Sequence, residues 1–282
     1  KGRNVKGVVL DLRFNAGGIL TQAVDVVSLF IKKGIIVSIK DENGHVQHLR
    51  GVNSKVMWDG PLMVLINRLS ASSAEIVAQA LQDYGRALVV GDDHSFGKGS
   101  FQSLTLNPDL DASIDPKGEY KVTRGRYYTV SGKTPQLVGV QSDIVVPGGL
   151  SYFDIGEQYI TYPLTNDSIE PNFVDTFSDI PSYQREKVKK LYYFDIEKKH
   201  DRYAPFLSGL KENSSQRIAA NKAYTEFLEI MKKSKEDPDC ADNLEANSDL
   251  QLNESLNIMR DLIWLEDFHE KTHAQSELVK AA

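Results

Sequence analysis

The chain has 282 residues, 41% of them hydrophobic and 26% charged, and a formal net charge of −6. That length can bury the core of one large or two ordinary domains, and the acidic balance argues against a polynucleotide or an anionic membrane as the main partner. The single cysteine, Cys240, forbids an intrachain disulfide, and no apolar run approaches the roughly 18 residues of a spanning helix.

Val5 to Leu12 reads as a buried strand, and Leu20 to Ile31 carries Ala23, Val24, Val27 and Phe30 at helical spacing. Gly34 to Lys40 and His45 to Leu49 flank Asp41-Glu42-Asn43-Gly44, a strong hairpin turn. Strand Leu62 to Ile66, helix Ala74 to Tyr84 and strand Ala87 to Val90 follow, and this alternation is an α/β signature. From Ser100 to Val146 the pattern turns β-rich, with strands expected at Phe101 to Leu104, Tyr120 to Val122, Arg126 to Val130 and Ile144 to Val146. Turns are expected at Asn107-Pro108 and Pro116-Lys117-Gly118. A polar, proline-bearing stretch over 167–181 marks a domain boundary. Beyond it, Ala219 to Lys235 and Leu252 to His269 repeat apolar residues at helical spacing, as in helices that pack on one another.

Three segments carry chemistry. Ser70-Ala71-Ser72-Ser73-Ala74-Glu75 joins a buried strand to an amphipathic helix, where backbone N–H groups and the helix dipole can stabilise a developing oxyanion. The same letters also spell an N-cap with a capping-box glutamate. Lys98 lies between Gly97 and Gly99, with no helix to stabilise. A lysine that sheds its proton can act as base toward a serine hydroxyl, although for this lysine taken alone a solvated turn residue is the better reading. A Walker loop fits less well: Gly91 to Lys98 has one residue too many, Gly99 replaces the Ser or Thr, and a strand follows. The pair Gly17-Gly18 closes the first strand's turn and can offer amide donors, as can any plain βα turn.

Taken in this order, the segments resemble the tail-specific or C-terminal processing peptidases, periplasmic Ser-Lys proteases with a crotonase-like core. The matching stretches are Leu10 to Gly18, Asn67 to Glu75, Gln82 to Ala87, Phe96 to Gln102 and Gly139 to Pro147. The helical tail resembles that of the tail-specific branch, the chlamydial member included. The resemblance implies an α/β protease core over 1–165 with a β-rich segment, followed by an α-helical C-terminal domain over 166–282. It implies Ser72 as nucleophile, Lys98 as general base, Gln102 as the residue orienting the lysine, and oxyanion donors from Ser73 and from Gly17 or Gly18. Asp83 matches a supporting aspartate.

Two departures bear on the nucleophile. The family usually reads Ser-Ala-Ser-Ala-Ser-Glu, so Ser73 is a rival to Ser72, and the loop Asp92-Asp93-His94-Ser95 is one residue longer than usual. The chain opens abruptly on a strand, which points to a missing N-terminal portion able to carry a targeting segment and another domain; the family's substrate-gating PDZ domain is not evident, and the resemblance places it there, upstream of Lys1. No cofactor or metal is implied. The expected partners are proteins or peptides with apolar C-termini, an adaptor protein and a second copy of the chain. An inactive scaffold that docks partners through its helices is the rival function. His269-Glu270-Lys271-Thr272-His273 spells a zinc motif but reads better as exposed helix, and Asp92-Asp93 reads as solvated charge.

Overall fold

A computed structural model describes residues 4–105, 120–192, 194, 196–237 and 249–281. The turns expected at 107–108 and 116–118, and Cys240, lie outside the described residues. Among the described residues six α-helices run in chain order: α1 (Leu20–Val27), α2 (Ser73–Asp83), α3 (Ser182–Tyr192), α4 (Leu207–Ala220), α5 (Lys222–Ser234) and α6 (Leu250–Ala281). None of the described helices is long and apolar enough to cross a membrane.

β1 (Val8–Asp11), β4 (Leu62–Ile66), β5 (Leu88–Gly91) and β8 (Ile144–Val145) form a parallel sheet in the order β1-β4-β5-β8. Every residue of β4 is buried because both faces of the sheet are covered. Leu62, Val64 and Ile66 cluster with Val24 and Val27 of α1 and Ile76 and Leu81 of α2. Met63 and Leu65 cluster instead with Leu210 of α4, Tyr224 of α5 and Ile258 and Leu262 of α6. The switch from one cluster to the other at each step is the two-residue period of a strand, and each such side chain contributes about 1.5–3 kcal/mol by leaving water. The apolar stripes of the late helices therefore pack on the sheet as well as on one another.

A second, antiparallel sheet has the order β3-β2-β7-β6, from β2 (Gly34–Asp41), β3 (Val46–Gly51), β6 (Ser100–Thr105) and β7 (Tyr120–Thr129). The expected hairpin joins β2 to β3, with Gly44 at a φ of +82° and Asp41 Oδ1 accepting from the amides of Asn43 and His45. The mixed α/β class expected from the sequence is the class the chain has.

Several boundaries differ from expectation for identifiable reasons. The two strands expected at 120–122 and 126–130 are one strand, because Gly125 pairs with both Asp41 and Phe101 and keeps the ladder continuous. A Cβ there would lie 2.2 Å from the carbonyl oxygen of Lys40, so only glycine fits. Helix α1 stops at Val27, where Ser28 Oγ donates back to the Val24 carbonyl at 2.7 Å and the chain tightens into a turn. Helix α5 begins at Lys222 and not at Ala219, since the Asn221 side chain accepts from the Tyr224 amide at 3.2 Å and separates it from α4.

Candidate active site

Three loops leave the carboxyl ends of the adjacent strands β1, β4 and β5, the edge at which open parallel sheets hold their sites. They carry residues 12–19, 67–72 and 92–99. Side chains of the middle loop tie it to both neighbours. Asn67 Oδ1 accepts from the Phe14 amide at 3.0 Å, and Ser70 Oγ donates to the Leu12 carbonyl at 2.8 Å. The Ala71 amide donates to the Asn15 carbonyl, and the Phe96 amide to the Ser70 carbonyl, each at 2.9 Å. Ser70 is thus an anchor, fully buried. Ser72, two residues on, caps α2 with φ 57° and ψ −118°. A non-glycine residue held at positive φ costs on the order of 1–3 kcal/mol and persists only where its surroundings fix it.

Glu75 supplies much of that fixing. Its carboxylate has no exposed surface and accepts four hydrogen bonds. Oε2 takes the amides of Ser72 at 2.8 Å and Lys98 at 2.9 Å; Oε1 takes the Gly97 amide at 2.7 Å and Ser95 Oγ at 2.5 Å. One oxygen therefore joins the backbone of the candidate nucleophile to that of the candidate base. Burial pushes the Glu75 carboxyl up to about 7, against the lowering effect of its four donors. The capping role read from the sequence is real, and the bond to Lys98 comes with it. The sequence signal for that second role is an acidic residue flanked by Ala74 and Ile76, both buried, on the core side of an amphipathic helix.

Gly17, Gly18, Ser72, Ser73, Lys98 and Gln102 line one cavity of about 640 Å3. Its other walls include Ile19, Leu20, Ile39, Ile76, Phe101 and Tyr127. Lys98 Nζ donates to Gln102 Oε1 at 3.1 Å, and among the described residues it makes no hydrogen bond to Ser72 Oγ. Gly17, at a φ of +97°, lies so close to the serine turn that a Cβ would come within 2.7 Å of the Ala71 carbonyl and of Ser72 Cβ. Its amide is already engaged by Asn15 Oδ1 at 2.9 Å. Gly18 thereby becomes the better amide candidate in that pair, beside the Ser73 amide in the first turn of α2, where the dipole favours negative charge.

Asp83 lies at the other end of α2, away from the cavity. Buried there, it accepts from Thr129 Oγ1 and from the Ser131 amide at 3.3 Å, which holds α2 to the end of β7. The reading of Asp92 as a solvated charge is overturned. Its side chain is fully buried and accepts from the Arg68 amide at 3.1 Å, the Gly148 amide at 3.0 Å and Ser151 Oγ at 2.7 Å. Polarity of the loop misled here, since four donors can replace water around a carboxylate. The fourth is Gln251 Nε2 at 3.0 Å. Asp93 does reach solvent, where it pairs with Arg68 at 3.0 Å. Of the zinc spelling, His269 packs edge-on against Phe206, and the side chains of 270 and 273 lie outside those described.

The model of peptidase family S41 matches residues 1–146, more than half of the chain. The tail-specific protease of Haemophilus influenzae is 31% identical over 254 residues, 86% of this chain and 35% of that protein. The carboxy-terminal-processing protease of Bartonella bacilliformis is 40% identical over 162 residues, 57% of this chain and 34% of that protein. Among solved structures, a photosystem II D1 C-terminal processing protease is 33% identical, with a TM-score of 0.45, over 51% of this chain and 35% of that one. The chain spans about a third of the length of these curated relatives. With more than half of its residues matched by the family model, the chain belongs to peptidase family S41.

Proposed function

We propose that the chain carries the catalytic centre of a serine endopeptidase with a Ser72–Lys98 dyad. The observation that carries this reading is the convergence of Ser72, Lys98, Gln102 and Gly18 on one cavity, with Glu75 holding the amides of both dyad residues. Neutral Lys98 Nζ takes the proton of Ser72 Oγ as that oxygen attacks the scissile carbonyl. The oxyanion is received by the amides of Ser73 and Gly18. The Lys98 ammonium returns its proton to the leaving amine, and water activated by the same lysine then hydrolyses the acyl-enzyme. Gln102 Oε1 orients the amine between these steps. Catalytic hydrogen bonds are often long without substrate, so Lys98 swings from Gln102 to Ser72 when a peptide fills the cleft.

The substrates are proteins or peptides with apolar C-termini in the periplasm, and the apolar wall of Ile19, Leu20, Ile76 and Phe101 suits small apolar side chains beside the cut. A crotonase-like core over 1–165, a helical domain over 166–282, an adaptor and self-association belong to the same reading. The bond from Lys98 Nζ to Gln102, with none to Ser72, favours the second reading, an inactive scaffold. Rapid acid quench of the chain with a peptide thioester, followed by mass mapping, separates them. An acyl group on Ser72 supports the dyad, one on Ser73 overturns the nucleophile, and no acylation supports the scaffold.

A further inference from the structure

We propose that Tyr127 is a positioning residue that sets Lys98 against Ser72, a role that rests on the Ser-Lys reading. Glu75 grips the amides of the two residues, and Tyr127 meets their carbonyls. The Tyr127 hydroxyl lies 3.1 Å from the Ser72 carbonyl oxygen and closer still to that of Lys98. A phenol has one proton to give. The Ser72 carbonyl already accepts the Glu75 amide at 2.9 Å and the Ile76 amide at 3.1 Å, so the proton goes to Lys98. Lys98 is therefore held at both ends of its backbone, its amide by Glu75 and its carbonyl by Tyr127, while Glu75 holds the amide of Ser72.

Tyr127 is suited to hold geometry. It lies within β7, paired with Ile39 of β2, and its ring is 1% exposed in the core that includes Ile76 and Val130. Its amide donates to the Gly99 carbonyl at 2.9 Å, so backbone and side chain bracket Lys98-Gly99 from one rigid strand. Immediately beyond, the register of β6 slips between Phe101 and Gln102, which places Gln102 where it meets the lysine amine. Burial holds the phenol far on the protonated side, so it stays a donor across any assay range. A tyrosine satisfying only its own buried hydroxyl would affect stability and leave turnover alone.

The test is Tyr127→Phe in the full chain, assayed on an unstructured peptide beside Ser72→Ala. A misplacement of the amine by about 1 Å costs up to roughly 100-fold in rate. The expected result is a kcat lower by about 10- to 100-fold with KM within about twofold, and recovery of most of that loss by 4-aminophenylalanine at 127, which restores a donor. A folded Tyr127→Phe chain with the parent's kcat overturns the proposal, as does a folded 4-aminophenylalanine chain no faster than it. If Ser72→Ala cleaves like the parent, the Ser-Lys reading is what fails. Amide hydrogen exchange over 96–100 reads the contact without turnover. A rise of about tenfold or more in Tyr127→Phe, with core amides unchanged, supports the proposal, and an unchanged loop overturns it. Should the phenylalanine chain not fold, 4-fluorophenylalanine replaces it, filling the hydroxyl's space with a group that cannot donate; the same fall in kcat supports the role and a parent-like kcat overturns it.

Discussion

Glu75 is the residue on which the geometry of the candidate site turns, and its protonation state has two opposite consequences. Ionised, it accepts all four of its donors; protonated, its own hydrogen must face one of them. Cleavage should therefore fall as pH drops through about 7, the value to which burial raises this carboxyl. Stability runs the other way. Because the folded carboxyl holds its proton more tightly than the unfolded one, its contribution is fully present below the unfolded value of 4.5 and is lost as pH rises through about 7. Relative to Glu75→Gln, the parent should lose up to about 3 kcal/mol of stability across that window, measured by urea unfolding at a series of pH values. The glutamine chain should also cleave more slowly at pH 8, since its NH2 group opposes two of the donors. A stability difference flat with pH would show that Glu75 titrates as an ordinary carboxylate.

At the scale of elements, the loop of 12–19 is the part that tolerates least change. Gly17→Ala puts a methyl against the Ala71 carbonyl and Ser72 Cβ at a φ of +97°. It should cost on the order of 1–3 kcal/mol of stability. By displacing Gly18 it should also cost roughly 10²-fold in kcat, the scale of one lost oxyanion donor; parent-like kcat would remove Gly18 from the oxyanion site. The glycine pair, the serine turn and the glycine-flanked lysine were all legible as motifs, because each needs an unusual local backbone that only a few residue types permit. The strands β2, β3 and β4 were legible for a similar reason, namely alternation or a continuous apolar run bounded by turn residues. Glu75 as a link between loops, Tyr127 and the burial of Asp92 were not. Each depends on partners brought together by the fold, and a carboxylate spelled in a polar loop looks the same whether water or four donors surround it.

Across the whole molecule, the late helices are fastened to the loops of the site as well as to the sheet. Arg13, in the first loop, pairs with Asp11 at 2.8 Å and with Asp249 at the start of α6 at 2.6 Å. Gln251, two residues on, donates to Asp92 Oδ1 at 3.0 Å and to the Val146 carbonyl at 2.8 Å. These pairs span 236 and 159 residues of chain, which is why helical periodicity gave the helices but not their seat. The fold thus brings four distant segments to one carboxyl edge of a parallel sheet, and membership in a peptidase family agrees with the chemistry those segments can perform. The most direct test of that chemistry is the rate at which the full chain cleaves an unstructured protein, with Ser72→Ala and Lys98→Ala compared in parallel. The dyad predicts that either substitution lowers the rate by at least about 10³-fold while the melting temperature holds. Cleavage by both variants at the parent's rate would contradict it.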